Sequence, residues 1–333
     1  MKNTFILLII LLIQNVLFSQ TPVEKYGRLK VNGTLIKGNN DSVVQLKGMS
    51  LFWSHWSGKY YNEDIVDWLY KDWNCEVVRA AMGIDRGGYL TNKETEKQKI
   101  IKVIEACIKT GIYVIVDWHD HHAEDNLVEA QLFFSEIARK YGSYPNIIYE
   151  IYNEPLRNSA WSETIKPYHE AVIDTIRKYD TLNLIICGTR SWSQDVDEAS
   201  EDPLQDKNVA YAIHYYSDTH KEWLRTKAQK ALDNGIALFV TEYGTCKADG
   251  DGKINFEETL TWWRFLDNNH ISYCNWSVGD KEETSSALLP GADSTGGWDT
   301  TMLSPSGILV RGWMRGYDLS GSVHTIIEEA KNR

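Results

Sequence analysis

Residues 147–155 read IIYEIYNEP, an alternating apolar run that ends on an asparagine and a glutamate and is closed by a proline. Alternation of this kind predicts a buried β-strand. A carboxylate is seldom buried without a partner, so the glutamate at this strand end needs either a solvent-exposed surface or a chemical role. The rest of the chain decides between these, because the fold determines what surrounds the strand end.

Seven further β-rich segments accompany this one, and amphipathic helical patterns such as residues 93–111 and 127–142 lie between most of them. The eight predicted strands are VVQLKGMS (43–50), CEVVRAAM (75–82), YVIVDWHD (113–120), IIYEIYNE (147–154), LIICGT (184–189), VAYAIHYY (209–216), ALFVTEYG (237–244) and SYCNWSV (272–278). Eight strands that alternate with helices predict an α/β fold, the (β/α)8 TIM barrel.

Two segments complete this barrel as a single domain. LKVNGTLIKG (29–38) alternates around an Asn-Gly pair and predicts an N-terminal β-hairpin that caps one end of the barrel. SPSG (304–307) predicts the start of the last helix, with Ser304 as N-cap and Pro305 at the first helical position. We find no linker or repeat that would mark a second domain.

The first twenty residues have the pattern of an export signal. Lys2 precedes an apolar run from Phe5 to Ile13, and a polar break with a small residue follows. We therefore expect a signal peptide over residues 1–20 and one catalytic domain over residues 21–333. The mature protein is expected to be secreted, either extracellular or periplasmic.

The acidic composition bears on the class of partner. The chain carries 46 acidic and 35 basic residues, a formal net charge of −11, and no basic block. We therefore expect neither nucleic acid nor a membrane as partner, and a neutral substrate fits better. Thirteen tryptophans and eighteen tyrosines provide flat amphipathic faces that suit both a core and stacking on sugar rings.

The cysteines indicate little covalent cross-linking. Their count of five is odd, so at least one is unpaired, and no CxxC pair occurs. We expect mostly buried thiols, with one disulfide as the alternative.

Polar residues collect at the carboxyl ends of the predicted strands, where (β/α)8 barrels hold their active sites. They are Arg79, His119, Asn153, Glu154, His214, Tyr216, Glu242 and Trp276. Glu154 and Glu242 would face each other across the barrel mouth. Hydrolysis of a glycosidic bond needs such a pair: one carboxyl protonates the leaving oxygen, and one carboxylate attacks the anomeric carbon. We expect Arg79 and Tyr216 to keep the nucleophile ionised, and the pKa of the other glutamate to be raised.

Several motifs that together span nearly the whole mature chain carry a resemblance to a known family. They are LKGMS, VVRAAM, VIVDWH, IIYEIYNEP, AIHYY, LFVTEYGT and NWSVGDKEETSSALLPGA. As a set they resemble glycoside hydrolase family 5, particularly its bacterial endo-β-1,4-glucanase (cellulase) branch. The resemblance implies that Glu154 is the acid/base and Glu242 the nucleophile, and that Asn153 holds the 2-hydroxyl of the reacting sugar.

The resemblance also implies a set of substrate contacts. His119, His214 and Tyr216 would complete the inner shell, and the outer contacts would be Trp276 under the reacting sugar, Trp56 one sugar further out, Trp192 on the leaving-group side, and Lys281 with Glu283 at distal hydroxyls. Structural roles are the alternative for some of these residues. Arg79 could neutralise buried acids, Trp56 and Trp192 could be core aromatics, and the Lys281–Glu283 pair could be an ordinary surface ion pair.

Two metal-binding patterns compete with this interpretation. DWHDHH (117–122) offers three histidines and two aspartates, but a catalytic metal would need ligands at several other strand ends, where this chain places Glu, Asn, Tyr and Trp. KADGDGKINFEE (247–258) is similar to a calcium loop, yet a cation, Lys247, occupies its first position and a strand precedes it. We therefore expect no metal and no cofactor in the active site, and a loop over 247–258 that leads into the seventh helix, with adventitious calcium in this loop as the alternative.

These observations predict a secreted, retaining endo-β-1,4-glucanase that acts on a β-glucan polysaccharide or oligosaccharide and has no obligate protein partner. Endo action rests mainly on the resemblance. The alternatives are the same chemistry on another β-glycan, such as mannan, mixed-linkage glucan or xyloglucan, and a non-catalytic carbohydrate-binding barrel. The last would require the loss of one of the two glutamates, and both are present.

Overall fold

Eight parallel strands, numbered β1–β8 in chain order, pair with their sequence neighbours and close into a barrel where β8 meets β1. The computed structural model describes residues 20–317, so the signal peptide predicted over residues 1–20 lies outside the described residues except for its last position. The strands are β1 Lys47–Leu51, β2 Val77–Gly83, β3 Tyr113–His119, β4 Ile147–Glu150, β5 Ile185–Cys187, β6 Val209–Tyr216, β7 Leu238–Gly244 and β8 Ser272–Val278. Each overlaps its predicted segment, and the predicted (β/α)8 barrel is confirmed.

A helix follows each strand and packs on the outside of the barrel. The barrel helices are α1 Glu63–Trp73, α2 Lys93–Thr110, α3 Leu127–Tyr141, α4 Lys166–Arg177, α5 Val196–Glu201, α6 Glu222–Asp233, α7 Phe256–Asn268 and α8 Pro305–Met314. Shorter turns of helix lie at Pro22–Tyr26, Gly58–Tyr60, Ala123–Asn126, Trp161–Ile165 and Arg190–Ser193. Within residues 20–317, no helix is long and apolar enough to cross a membrane.

Local sequence explains where several helices begin and end. Ser304 caps α8 as predicted, because its hydroxyl accepts a hydrogen bond from the Gly307 N–H at 3.0 Å. Gly111 ends α2 with a φ of 80°, a left-handed conformation that favours glycine. Gly142 follows α3 with an ordinary φ of −61°, and there the missing side chain provides space, since a Cβ would lie 2.5 Å from the Ala138 carbonyl oxygen.

The predicted hairpin is present, formed by Lys30–Asn32 and Leu35–Lys37 with Gly33 in the turn at a φ of 61°. Apolar residues of the hairpin segment, among them Ile36, pack against residues inside the amino end of the barrel. Asn208 fixes the hairpin, because its side chain accepts from the Val31 N–H at 2.7 Å and donates to the Leu29 carbonyl at 3.1 Å. The amino end of the barrel is therefore closed, which leaves the carboxyl end for a site.

All five cysteines are buried free thiols, in agreement with the prediction. Cys274 lies inside the barrel, Cys75, Cys107 and Cys187 lie between the barrel and its helices, and Cys246 lies at the carboxyl end beside Trp276. Burial raises the pKa of each thiol above its ordinary value.

Strand β4 is shorter than predicted, because its regular pairing stops at Glu150 rather than at Glu154. The backbone beyond it continues through single hydrogen bonds to neighbouring strands. The Asn153 N–H donates to the Trp118 carbonyl and the Glu154 N–H to the Asp120 carbonyl, each at 3.2 Å. Residues 153 and 154 therefore lie beside the carboxyl end of β3, whereas the Ile151 N–H donates to the Ile186 carbonyl of β5.

The segment 247–258 is a loop that leads into α7, as expected. Asn255 caps this helix by accepting a hydrogen bond from the Glu258 N–H at 3.2 Å. The residue aligned with the last calcium ligand is thus the third residue of the helix.

Candidate active site

The inward-facing residues of the strands form layers, because alternate residues of a strand share one face. On β3, Ile115, Asp117 and His119 share the inner face, so the layers pass from apolar to charged to polar toward the carboxyl end. A bulge in β7 changes its alternation. Ala212 of β6 pairs with Phe239 of β7, and the next pair joins His214 of β6 to Glu242 of β7. Between these pairs β6 advances by two residues and β7 by three. This extra residue turns the Glu242 side chain inward, and bulges are common beside active sites.

Arg79, on β2, lies at the centre of a buried ion-pair network. Its guanidinium contacts Glu150 at 2.7 Å, Asp117 at 3.0 Å and Glu242 at 3.1 Å. It also donates to Asn153 Oδ1 at 2.6 Å. The arginine side chain has no exposed surface, so it fixes the carboxylates from below and does not line the cleft. A planar guanidinium with several donors is suited to hold several acids at once.

Both carboxylate oxygens of Glu242 are hydrogen-bonded. Oε2 accepts from Arg79 and Oε1 accepts from the Tyr216 hydroxyl at 2.8 Å. Burial and the negative charge of Glu154 nevertheless raise the pKa of Glu242 above its ordinary value, against the opposing effects of His214 and Arg79.

Two imidazoles hold the carboxylate of Glu154. His121 Nε2 lies 3.0 Å from Oε2, and His214 Nδ1 lies 2.9 Å from Oε1. The other ring nitrogen of His214 lies 2.8 Å from the Thr241 hydroxyl, which donates its own proton to Glu150 at 2.6 Å. His214 Nε2 must therefore carry a proton, and a second proton is shared between His214 Nδ1 and Glu154 Oε1.

The shared proton resides on the imidazole. Burial lowers the pKa of His214, but the nearby carboxylates of Glu150 and Glu154 outweigh it and raise this pKa to about 9. Burial raises the pKa of Glu154, but hydrogen bonds from His121 and His214 outweigh it and lower this pKa below its ordinary value. The expectation of a raised pKa for Glu154 is therefore wrong for the free protein, because the two imidazoles favour the charged form of this carboxyl group. The expectation of an easily ionised Glu242 is also wrong, because burial and the charge of Glu154 raise its pKa.

A cleft of about 630 Å³ lies above these groups and is lined by aromatic residues. Trp276 forms part of its floor, with its ring stacked on His119 at a centroid distance of 5.1 Å and an interplanar angle of 3°. Trp56 and Trp192 are 52% and 39% exposed, so neither is a core residue. Lys281 and Glu283 form an ion pair on the cleft wall, and Glu283 also accepts from the Ser285 hydroxyl at 2.9 Å.

The sequence matches the family model described as cellulase, glycosyl hydrolase family 5, over residues 36–282. The chain belongs to glycosyl hydrolase family 5. Endoglucanase Z of Dickeya dadantii is 53% identical over 266 residues, which cover 79% of this chain and 62% of that protein. Endoglucanase A of Evansella cellulosilytica is 47% identical over 272 residues, which cover 80% of this chain and 56% of that protein. The chain thus spans about three fifths of the length of these family 5 relatives.

Solved structures agree with this family 5 assignment. A structure from Cytophaga hutchinsonii is 55% identical, covers 93% of this chain and all of its own, and superposes with a TM-score of 0.89. The catalytic domain of Thermobifida fusca endoglucanase Cel5A is 32% identical, covers 89% of this chain and all of its own, and has a TM-score of 0.85. An E355Q form of that domain was solved with cellotetraose.

The structure brings most of the predicted family 5 site residues to one cleft. Those that line it are Trp56, His119, Glu154, Trp192, His214, Tyr216, Glu242, Trp276, Lys281 and Glu283. Arg79 and Asn153 lie beneath them and are fully buried. The Oδ1 atom of Asn153 accepts from Arg79, whereas its Nδ2 has no partner among the described residues and is left as a donor.

Several functional contacts escaped the sequence reasoning. Asp117, Glu150 and Thr241 hold the arginine and the imidazole in place, and only their inward positions on β3, β4 and β7 could have indicated this. The sequence pattern indicates His121 only as part of a candidate metal site. The side chains of the DWHDHH run bond to different partners: Asp117 to Arg79, His121 to Glu154, and Asp120 to the His122 N–H at 3.0 Å. The run therefore does not converge on one point.

Proposed function

We propose that this protein is a retaining endo-β-1,4-glucanase. The observation that carries the proposal is the close pair of carboxylates: one carboxylate oxygen of Glu154 and one of Glu242 lie within 4.8 Å of each other, and a ring nitrogen of His214 lies within the same distance of both. In retaining glycosidases the two carboxyl groups stand about 5–5.5 Å apart, and in inverting ones about 6.5–9.5 Å, because the latter hold a water between them. The short separation supports double displacement.

In the first step Glu242 attacks the anomeric carbon and the bond from that carbon to the leaving oxygen breaks. His214 passes the shared proton to Glu154 across the 2.9 Å contact, and Glu154 delivers it to the departing oxygen, which leaves Glu154 as a carboxylate. The products are a glycosyl ester on Glu242 and a shortened chain with a free hydroxyl. Arg79 then remains bound to Asp117 and Glu150, so the ester forms without leaving an unpaired guanidinium.

In the second step Glu154 removes a proton from water, whose oxygen attacks the anomeric carbon and releases Glu242 as a carboxylate. Esterification has removed the negative charge beside Glu154, which reduces its affinity for a proton while water approaches. A second inversion at the same carbon gives net retention. The free Nδ2 donor of Asn153 is suited to bind the sugar 2-hydroxyl at both steps.

The substrate is proposed from the cleft and from the relatives. A cleft lined by exposed Trp56 and Trp192 offers stacking faces to a neutral chain that extends past both ends of the reacting sugar. The relatives are named endoglucanases, and cellotetraose occupies the Thermobifida enzyme. Secretion belongs to the same proposal and rests on the signal pattern of residues 1–20.

One assay tests this function against the same chemistry on another β-glycan. Release of reducing ends should be fastest on soluble carboxymethyl cellulose and much slower on mannan and xylan, and viscosity should fall early because internal bonds are cleaved. A Glu154→Ala/Glu242→Ala double variant is the control for background hydrolysis. Faster release from mannan, or reducing ends without a loss of viscosity, would contradict the proposal.

The pH dependence of kcat/KM should be bell-shaped and should reflect the free protein. Glu242 must be ionised, so the acid limb should lie above the ordinary glutamate pKa, because burial and Glu154 raise it. The shared proton is lost as the pH rises through the pKa of His214, so the alkaline limb should lie near pH 9. His214→Asn removes the group that stores this proton and should move the alkaline limb to lower pH.

The matched control for this titration is His270→Asn, because His270 is an exposed histidine outside the cleft. It should leave both limbs in place. If His214→Asn lowered kcat/KM equally at all pH values, the shared proton would not be on this imidazole.

A further inference from the structure

Trp223, in the first turn of α6, is 46% exposed on the wall of the cleft. Its ring contacts the ring of His220 edge to face, with a centroid distance of 5.7 Å. His220 in turn accepts the Tyr216 N–H at 2.8 Å through Nδ1. The exposed indole is therefore linked, through its contact with His220, to the carboxyl end of β6, the strand that carries His214 and Tyr216.

The order of strands around the barrel shows which part of a bound chain would reach Trp223. Trp276, Lys281 and Glu283 belong to β8 and the loop after it, and Trp56 follows β1, which is its neighbour. Glu154, which protonates the departing oxygen, follows β4 on the opposite side. The departing part of the chain therefore extends over the loops after β4, β5 and β6, where Trp192 and Trp223 lie.

A shared carboxylate joins the two elements that carry these tryptophans. Asp195 follows the helical turn Arg190–Ser193 after β5, here called the β5 turn. It accepts from the Ser191 hydroxyl at 2.7 Å and from Arg190 Nε at 3.1 Å, and it also binds Lys227 of α6. The Lys227 ammonium lies 5.9 Å from the centre of the Trp223 ring. The β5 turn and α6 are thus held in one arrangement before a ligand binds.

The backbone of the β5 turn also depends on the catalytic segment. Trp192 has a left-handed φ of 59°, which is uncommon for a residue with a large side chain, and its N–H donates to the Pro155 carbonyl at 2.9 Å. Ser193 Oγ donates to the Asn153 carbonyl at 2.8 Å. Strained backbone of this kind persists only where its surroundings hold it, and it is concentrated at ligand sites.

We propose that Trp223 is a stacking platform for a glucose ring of the departing chain, beyond the ring that contacts Trp192. This inference rests on the proposed function and extends it: the protein binds at least two sugars on the leaving-group side. The ligand is a β-1,4-linked glucan, whose pyranose rings present flat C–H faces to an indole. A contact with a sugar far from the cleaved bond lowers the activation free energy only for a glucan that is long enough to reach that contact.

The test compares two substrates in one variant. Trp223→Ala should lower the ratio of kcat/KM for cellohexaose to kcat/KM for an aryl β-cellobioside about tenfold, because the aryl group does not reach beyond Trp192. The cleaved bond in cellohexaose, located with reducing-end ¹⁸O label, should shift toward the reducing end. Trp223→Phe, which keeps an aromatic face, should restore most of the ratio.

Tyr179→Ala is the matched control, because Tyr179 is a 44% exposed aromatic residue that does not line the cleft. It should keep the parent ratio. If the parent is active and Trp223→Ala keeps the parent ratio and cleavage pattern, the stacking role of Trp223 is overturned but the proposed function is not. An equal loss of kcat/KM on both substrates would have the same meaning. A parent that hydrolyses neither substrate would overturn the proposed function and the platform with it.

Discussion

Replacement of Glu242 by alanine should abolish turnover of every glucan, whatever its leaving group, with kcat lowered on the order of 10⁵-fold. The physical reason is that the proposed mechanism assigns the covalent ester to this carboxylate. Azide added to this variant can attack only from the vacated side, directly on the substrate. The expected product from an aryl β-cellobioside is therefore a glycosyl azide of inverted configuration, which NMR identifies.

Glu242→Gln provides the control for folding, because the amide keeps the volume of the side chain and can still accept from Tyr216. Both variants should be compared with the parent by thermal unfolding. A retained azide product from Glu242→Ala would assign the nucleophile elsewhere. Turnover near the parent level would overturn covalent catalysis at this residue.

Replacement of Glu154 by alanine should have an effect that depends on the leaving group. On natural glucans kcat/KM should fall about 10²–10⁴-fold, the usual contribution of general acid catalysis. An aryl β-cellobioside with an acidic phenol needs no proton, so it should still form the glycosyl ester and show a burst of phenol. Breakdown of the ester then limits the rate. Azide needs no base, so it should accelerate turnover and give a product of retained configuration.

The two variants together make the role assignment testable. If Glu154→Ala gave the inverted azide and Glu242→Ala the retained one, the acid/base and nucleophile would be exchanged. The anomer first released by the parent is an independent measurement. An inverted first product would overturn the double displacement itself.

The fold was predictable because its signals are local. Short apolar strands, helices with identifiable ends and the Ser304-Pro305 cap all depend on neighbours in sequence, and the structure contains each of them. The end of β4 was predicted four residues too late. Of the two neighbours of β4, β3 continues past the residue that pairs with Glu150, whereas β5 has only three residues, Ile185–Cys187, a property that the alternation in residues 147–154 does not show.

The site was predictable in composition but not in its protonation. Strand ends identify Glu154 and Glu242 as partners. The position of the proton depends on His121 and His214, whose contacts with Glu154 at 3.0 Å and 2.9 Å are set by a loop and by β6, two strands along the barrel from β4. The bulge in β7 likewise determines that Glu242 faces inward. The sequence does not indicate Trp223, because an exposed tryptophan at the start of a helix has no local sequence pattern that distinguishes a sugar-binding residue.

The reactivity of the buried cysteines can report when the barrel opens. Thiol reagents attack the thiolate, and burial both raises the pKa of these thiols and blocks access, so modification must wait until the surrounding structure opens. Cys246 lies beside Trp276 at the mouth, whereas Cys274 lies inside the barrel. The rates at which a thiol reagent labels these two positions would therefore distinguish local opening of the cleft from global unfolding, without any introduced probe.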